Sequence, residues 1–381
     1  MSQPPGDPWL LTPGPLTTSL SVKQAMLHDW GSRDQKFIAI NARLRERLLD
    51  IAGGSGDYVC VPMQGSGTFA VEAAIGTLVP AGDKALVLIN GAYGKRMAKI
   101  CDYYRRAYDI LEWPENTPND PQAVDQKLAS DPALTHVLGV HCETTSGILN
   151  PVERIGEVVA RHGRRFLIDA MSAFGAIELD ARNTPFDAVM ASSNKCLEGV
   201  PGMGFVIVKQ EYLRGCEGNA PSLSLDFYDQ WKSMEANSQW RFTPPVHCIV
   251  AFDQAIREHE AEGGVAGRGA RYRRNCEILI AGMRELGFET LLPDELQAPI
   301  IVTFHMPADP NFDFKVFYDK LNDRGYVIYP GKLTVAESFR IGCIGRLHEA
   351  QMRGALDAIK ETLQEMGVTQ CAPARADSAE A

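Results

Sequence analysis

Lys195, in Ser193-Asn194-Lys195-Cys196, follows a short apolar run, Ala188-Val189-Met190-Ala191, and precedes a glycine-rich turn, Gly199-Val200-Pro201-Gly202. Its neighbours Ser192, Ser193, Asn194 and Cys196 offer no helical solvent face, which makes its amine a candidate nucleophile. Earlier, Phe166-Leu167-Ile168-Asp169 puts a carboxylate at the end of an apolar strand, where it is costly to bury unpaired. Taken singly, Lys195 reads also as a surface lysine and Asp169 as a helix cap. Together they meet the two requirements of pyridoxal phosphate chemistry, one amine to hold the aldehyde and one carboxylate to keep the pyridine nitrogen protonated. The same lysine, displaced by a substrate amine, can then carry a proton to and from the substrate carbon.

Three further groups belong with this pair. Gly65-Ser66-Gly67-Thr68 follows a strand and opens a helix, so backbone N–H groups and two hydroxyls form an anion cradle suited to a phosphate monoester. The stretch Gly65 to Ala70 also satisfies the dinucleotide pattern G-x-G-x-x-A. That reading needs an acidic residue at the end of the next strand, and here the strand ends Ile89-Asn90-Gly91. Tyr93, in Asn90-Gly91-Ala92-Tyr93-Gly94, is placed either to stack on a cofactor ring or to fill the core. Arg340 interrupts the apolar strand Ser338-Phe339-Arg340-Ile341-Gly342; its guanidinium calls for an anion, either a structural Glu or a substrate carboxylate or phosphonate.

The elements that must hold these residues alternate. Strands are expected at Tyr58–Val61, Lys84–Ile89, Thr135–His141, Arg165–Asp169, Ala188–Ser192 and Gly204–Val208, with helices at Gly67–Leu78, from near Tyr93, and at Ile155–His162. Continuous apolar strands between helices imply an α/β fold with a mostly parallel sheet covered on both faces. Reactive residues then collect at the strands' carboxyl ends, where Gln64, Asn90, Glu143, Asp169 and Asn194 fall. Helices at Val246–Glu262 and Arg271–Leu286 flank the breaker Gly263-Gly264. A smaller α+β pattern follows, with strands at Ile300–Phe304, Tyr326–Tyr329 and Ser338–Ile341 and helices at Phe314–Arg324 and Leu347–Met366. The expected organisation is an N-terminal arm (1–20), a large domain (21–260), a small C-terminal domain (261–370) and a fraying tail (371–381).

Composition narrows the class. A chain of 381 residues is long for one hydrophobic core, hence two lobes. A net charge of −10 without a basic stripe argues against nucleic acid as a partner, and the basic cluster Arg268 to Arg274 reads as a solvated helix face. No apolar run reaches membrane-span length and the N-terminus lacks signal-peptide character. Nine Cys without C-x-x-C or zinc spacing fit a reducing cytoplasm and no metal site.

Leu11-Thr12-Pro13-Gly14-Pro15, Gln64 to Thr68, Asn90 to Gly94, Glu143-Thr144-Thr145-Ser146-Gly147, Asp169 to Gly175, Ser193 to Cys196 and Trp240-Arg241-Phe242-Thr243-Pro244 occur in this order. Carrying these motifs, the chain resembles the fold-type I, class V pyridoxal-phosphate aminotransferases of the alanine–glyoxylate/serine–pyruvate branch, from about residue 10 to 366. Ser222 to Asp226, Tyr228 to Trp231 and Tyr329-Pro330-Gly331-Lys332 draw it toward members that transaminate 2-aminoethylphosphonate with pyruvate. Alanine–glyoxylate or serine–pyruvate transamination, and an aminophosphonate lyase, remain alternatives on the same fold, as does a non-catalytic oligomeric binding protein.

The resemblance implies a large domain with a mostly parallel sheet, a smaller α+β domain and pyridoxal 5'-phosphate. It makes Lys195 the cofactor lysine, Asp169 the pyridinium partner and Tyr93 the stacking aromatic. Ser66, Gly67 and Thr68 become the phosphate cradle, Thr144 and Asn194 residues at the ring's edge, and Arg340 the substrate-anion arginine. Trp240 and Thr243 match a segment that reaches the phosphate from a neighbouring subunit, which implies a homodimer with shared sites.

Overall fold

The structure is a computed structural model describing residues 6–54, 56–333 and 336–374. Its centre is a seven-stranded sheet: β1 (Tyr58–Gln64), β2 (Lys84–Ile89), β3 (Ala107–Glu112), β4 (Leu134–Val140), β5 (Arg165–Asp169), β6 (Ala188–Ser192) and β7 (Met203–Lys209). The spatial order is β1-β7-β6-β5-β4-β2-β3. Only β7 runs antiparallel to its neighbours, so the carboxyl ends of the other six face the same way. Pro62, which cannot donate to a ladder, is accommodated because β1 is an edge strand paired only with β7.

Strands that are apolar throughout must be covered on both sides, and two cores do so. Phe166, Ile168, Val189, Ala191 and Phe205 pack on one face with α1 (Gln35–Ile51), α5 (Val152–Arg161) and α7 (Val246–Ala261). Leu167, Met190, Val206 and Ile89 pack on the other with α2 (Gly67–Leu78) and α3 (Ala92–Tyr103). Between β3 and β4 lies α4 (Pro121–Ser130), and α6 (Phe227–Asn237) packs beside α2. The edge strand β3 is absent from the sequence-based expectation: its alternation of exposed and half-buried positions lacks the continuous apolar run of its neighbours.

A third core belongs to the smaller lobe. The antiparallel sheet β8 (Ile301–His305), β10 (Ser338–Gly342), β9 (Tyr329–Pro330) packs against α8 (Gly264–Glu285), α9 (Phe314–Asp323) and α10 (Glu349–Met366), with Phe339 ringed by Phe288, Phe304 and Phe317. The single strand expected at Tyr326–Tyr329 is in fact two. Tyr326–Val327 pairs in parallel with Trp9–Leu10 of the arm, while Tyr329–Pro330 pairs with β10. Leu11 enters this third core, so the arm docks on the small lobe. Of the tail expected from residue 371 onward, residues 371–374 are described. Cys371 is buried and Ala372 accepts a hydrogen bond from the Ala308 N–H (2.9 Å); residues 375–381 lie outside the described residues.

The helix expected from Arg271 starts at Gly264, two turns earlier. Gly263 at its N-cap adopts φ 99°, which glycine tolerates, and Gly269 is required because a Cβ there would overlap the Ala176 carbonyl oxygen. The first turns of α8 therefore lie tight against the large lobe, while Leu279 and Met283 reach the small-lobe core. No helix among the described residues is long and apolar enough to cross a membrane.

Candidate active site

A cavity of about 200 Å³ opens at the carboxyl ends of the strands, lined by Ser66, Gly67, Thr68, Tyr93, Arg96, Asp169, Ser192, Asn194 and Lys195, among others. Each wall has a local cause. Ser66 is the N-cap of α2 with extended backbone, yet its hydroxyl makes no capping bond. By helix geometry the first N–H groups of α2 have no intrahelical acceptor, so hydroxyl and amides together present free donors to the cavity. Gly67 is needed there, since a Cβ would overlap the Met171 Sδ. Arg96, one turn into α3, donates to the Thr68 hydroxyl (Nη1 to Oγ1, 3.1 Å) and adds positive charge to this end.

Asp169 ends β5 almost fully buried. It accepts a hydrogen bond from the Met171 N–H (3.0 Å), and its own carbonyl is bonded by the His141 N–H (2.9 Å). Burial pushes its carboxyl up to about 6, against the opposing pull of the Met171 amide, Arg96 and Lys195. A cationic partner such as a protonated ring nitrogen would offset that cost, which fits the expected cofactor.

Lys195 sits on a turn pinned at both ends. The Ser193 N–H bonds the Met203 carbonyl (3.0 Å), its hydroxyl donates to the Val200 carbonyl (2.6 Å), and the Glu198 N–H returns to the Lys195 carbonyl (2.8 Å). Burial drops the Lys195 ammonium to about 8, with Asp169 opposing, so a useful fraction is neutral and nucleophilic near neutral pH. The amine donates to the Pro13 carbonyl. Gly14, at φ 130°, lies so near that a Cβ would stand 2.9 Å from the Lys195 Nζ. The motif Leu11 to Pro15 thus closes over the lysine, a role that its residue types alone do not reveal.

The other expected site residues lie outside this cavity. Thr144 is buried, its hydroxyl beside the Tyr93 phenol without a well-formed hydrogen bond, and its carbonyl accepts from Arg340 (Nη1, 2.6 Å). Arg340 is buried and contacts no carboxylate among the described residues. Its Nε and Nη2 both reach the Pro330 carbonyl (3.1 Å each), and its plane lies over Tyr329 at 5.1 Å. The structural-Glu alternative therefore does not hold. Trp240 donates its indole N–H to Asn41 in the same chain (2.9 Å), while Thr243 is exposed beside the exposed Phe242 and does not line this cavity.

The basic cluster of α8 corrects the sequence reading in part: Arg273 and Arg274 are exposed as a solvated face requires, but the other two arginines are not. Arg268 is fully buried and Arg271 nearly so. Arg268 bonds Glu262 (2.7 Å) and the Cys196 carbonyl (2.5 Å); Arg271 bonds Glu198 (2.6 Å), Glu262 (2.5 Å) and the Gly345 and Leu347 carbonyls (2.6 and 2.9 Å). Glu198 itself adopts φ 56° and also accepts from the Tyr272 hydroxyl (2.6 Å). Burial alone would raise Glu262, but the two guanidiniums hold it down at about 2. The turn that carries Lys195 is therefore bolted to α8 and to the strand exit beyond Arg340. An arginine-rich helix gives no sign in sequence of whether its charges meet water or carboxylates.

Sequence reasoning gives no definite role to Arg96 or Lys332, although Arg96 lies two residues past Asn90 to Gly94 and Lys332 ends Tyr329 to Lys332. Their side chains meet only in the fold, with Arg96 Cζ and Lys332 Nζ each 4.8 Å from the Tyr93 ring centroid.

An amine of lowered basicity, a buried carboxylate, an aromatic ring and a donor-rich helix end in one cavity fit pyridoxal phosphate and define a carbonyl-holding, amine-exchanging site. The family model for class-V aminotransferases matches residues 21–335, and the chain belongs to that family. It is 58% identical over 361 residues to the 2-aminoethylphosphonate–pyruvate transaminase 2 of Burkholderia lata, covering 95% of this chain and 96% of that one. It is 55% identical to the 2-aminoethylphosphonate–pyruvate transaminase of Pseudomonas aeruginosa, covering 95% and 98%. Among solved structures, pyridoxamine–pyruvate aminotransferase from Mesorhizobium loti superposes with a TM-score of 0.86 at 25% identity, covering 96% of this chain and 94% of that one. Ureidoglycine–glyoxylate aminotransferase from Bacillus subtilis superposes with a TM-score of 0.87 at 22% identity over 96% and 95%, a likeness of fold.

Proposed function

We propose that this chain transfers the amino group of 2-aminoethylphosphonate to pyruvate, giving phosphonoacetaldehyde and L-alanine in phosphonate degradation, with pyridoxal 5'-phosphate as cofactor. The observation that carries the reading is the convergence of Lys195 and Asp169 in one cavity of a chain that shares more than half its residues with transaminases of that name.

Bound there, the cofactor supplies an aldehyde that holds an amine and a ring that takes up electrons from the substrate's carbon. Lys195 Nζ holds the aldehyde at rest. Once free, its amine would take the proton from the carbon bearing the amino group and would later return one to the carbon that becomes alanine's. Its lowered basicity keeps it able to accept that proton near neutral pH. Asp169 holds the proton on the ring nitrogen. Ser66, Gly67 and Thr68, with Arg96, would anchor the phosphate; Tyr93 would orient the ring and Asn194 would border it, with Thr144 outside the cavity beside the Tyr93 phenol. Arg340 binds the phosphonate of the donor and then the carboxylate of pyruvate, because a fixed guanidinium fork accepts paired oxygens of either anion.

The same reading makes the working unit a homodimer. Leu223, Phe242 and Phe69 are large, exposed and apolar, and Thr243 is exposed beside Phe242, as expected if the segment completes a neighbour's phosphate site together with Trp240. The test is to supply holoenzyme with 2-aminoethylphosphonate and pyruvate. Alanine and phosphonoacetaldehyde in equal amounts are expected; alanine from L-serine, with the phosphonate untouched, would refute the substrate assignment.

A further inference from the structure

Four cations gather in and beside the cavity, Arg96 and Lys195 on its wall and Lys332 and Arg340 next to Tyr93, and none has a carboxylate ion-pair partner among the described residues. In a chain of net charge −10 this is a marked local excess. The carboxyl that bears on Lys332 and Arg340 is Glu143, and its oxygens are already taken by the Thr145 N–H (3.1 Å), the Thr145 hydroxyl (2.5 Å) and the Tyr93 N–H (3.2 Å). Arg96 and Lys195 have tasks toward the cofactor. Arg340 takes the substrate's anion. Lys332 is left over.

We propose that Lys332 is the second cation of the substrate's anion site and that it reads the extra oxygen and charge by which a phosphonate differs from a carboxylate. This deepens the function proposed above and rests on it. The backbone brings Lys332 to Arg340 by construction. Arg340 lies opposite Tyr329 across the β9–β10 ladder, and its guanidinium clamps the Pro330 carbonyl two residues before Lys332. Gly331 is pressed onto β10, where a Cβ would overlap the Ser338 carbonyl oxygen. The chain leaving that contact sends the Lys332 ammonium to the Tyr93 ring, which lines the same cavity as Lys195.

The chemistry divides between the two side chains. Arg340 is planar and has three donors committed to carbonyls, so its remaining edge offers a fixed fork for two oxygens in one plane. That suffices for a carboxylate. A phosphonate has a third oxygen out of that plane and carries up to two charges. A lysine suits it, being a compact charge on a flexible stem with three rotatable donors. Lys332 is exposed and rests on an aromatic face, so an arriving anion displaces no ion pair. Partial burial of its ammonium and the neighbouring Arg96 and Arg340 lower its basicity, which an anionic substrate would reverse.

The test compares two amino donors on one holoenzyme preparation. Single-turnover conversion of the bound cofactor gives a second-order rate constant for 2-aminoethylphosphonate and another for L-alanine, and their ratio is independent of how much protein is folded. Lys332→Met should lower that phosphonate-to-alanine ratio roughly 10- to 100-fold, the range for one lost charge-assisted hydrogen bond. Lys332→Arg should bring it back to within about tenfold of wild type. An unchanged ratio in Lys332→Met overturns the inference. If the wild type does not react with 2-aminoethylphosphonate at all, the function proposed above fails. The inference is then read from methylphosphonate against acetate, titrated into holoenzyme by their effect on its absorbance. A fall in relative phosphonate affinity in Lys332→Met upholds it, and no fall overturns it.

Discussion

Two sets of arginines flank the lysine turn, and they are treated in opposite ways. Arg268 and Arg271 on α8 are buried, and every charge is answered by Glu198 or Glu262. Arg340 is also buried, but its donors rest on the Thr144 and Pro330 carbonyls and no carboxylate among the described residues neutralises it. Both sets hold a side chain rigid; only the second leaves its charge unpaired, as the proposed substrate role requires. Backbone carbonyls fix a guanidinium's direction while leaving its full charge unmatched, whereas a carboxylate would have consumed it. Burial on carbonyls alone is not peculiar to this place, since Arg106 also rests on the Gly76 and Asn219 carbonyls; what sets Arg340 apart is that its unmatched charge lies close to Tyr93, while the closed ionic network holds the turn that carries Lys195. Burial lowers the basicity of Arg340, while the carboxylates raise that of Arg268 and Arg271 over the same opposing burial.

The contrast can be broken by stability measurements on the apoprotein, taken in order of effect. Arg268→Met leaves Glu198 and Glu262 sharing one guanidinium in a buried setting. It should cost about 3–5 kcal/mol in urea unfolding, as is usual when one partner of a buried ion pair is removed. A loss below about 1 kcal/mol would mean that the network does not hold the turn. Asp169→Asn should act in the opposite direction. The carboxyl's native value of about 6 lies above its ordinary 3.8, so its ionisation costs nothing below about pH 4, costs more as pH rises toward 6, and costs fully above that. The amide should therefore stabilise the apoprotein by about 2–3 kcal/mol at pH 7.5 and by little at pH 4. Equal effects at both values would show that ionising the buried carboxyl carries no such cost. Arg340→Met should change stability least, by about 1 kcal/mol or less, because the charge it removes was unmatched. It should nevertheless weaken the phosphonate and pyruvate half-reactions together; if either is spared, shared recognition by this residue is wrong.

Much of the fold is legible in the order of residues. Lys84–Ile89, Arg165–Asp169 and Ala188–Ser192 fall where their unbroken apolar runs put them, because a strand buried on both faces has nowhere to place a polar residue. Lys195, Asp169 and the Ser66 to Thr68 cradle stand out for the same reason, being polar groups at the ends of such runs. What escapes depends on partners distant in sequence. A buried Arg268 and a solvated one are spelled alike until Glu198 is folded against it. The start of α8 is hidden by glycines that read as breakers but serve close packing, as at Gly269. Lys332 gains meaning only with Gly331 and Pro330 pressed against β10 and Arg340.

The proposed chemistry turns on the Lys195 amine holding the cofactor while Asp169 faces its ring nitrogen. Reducing native holoenzyme with borohydride and locating the pyridoxyl group by peptide mass spectrometry tests it most directly. One label per chain, on Lys195, is the predicted result. A label on another lysine, or none with the protein visibly loaded, would contradict it.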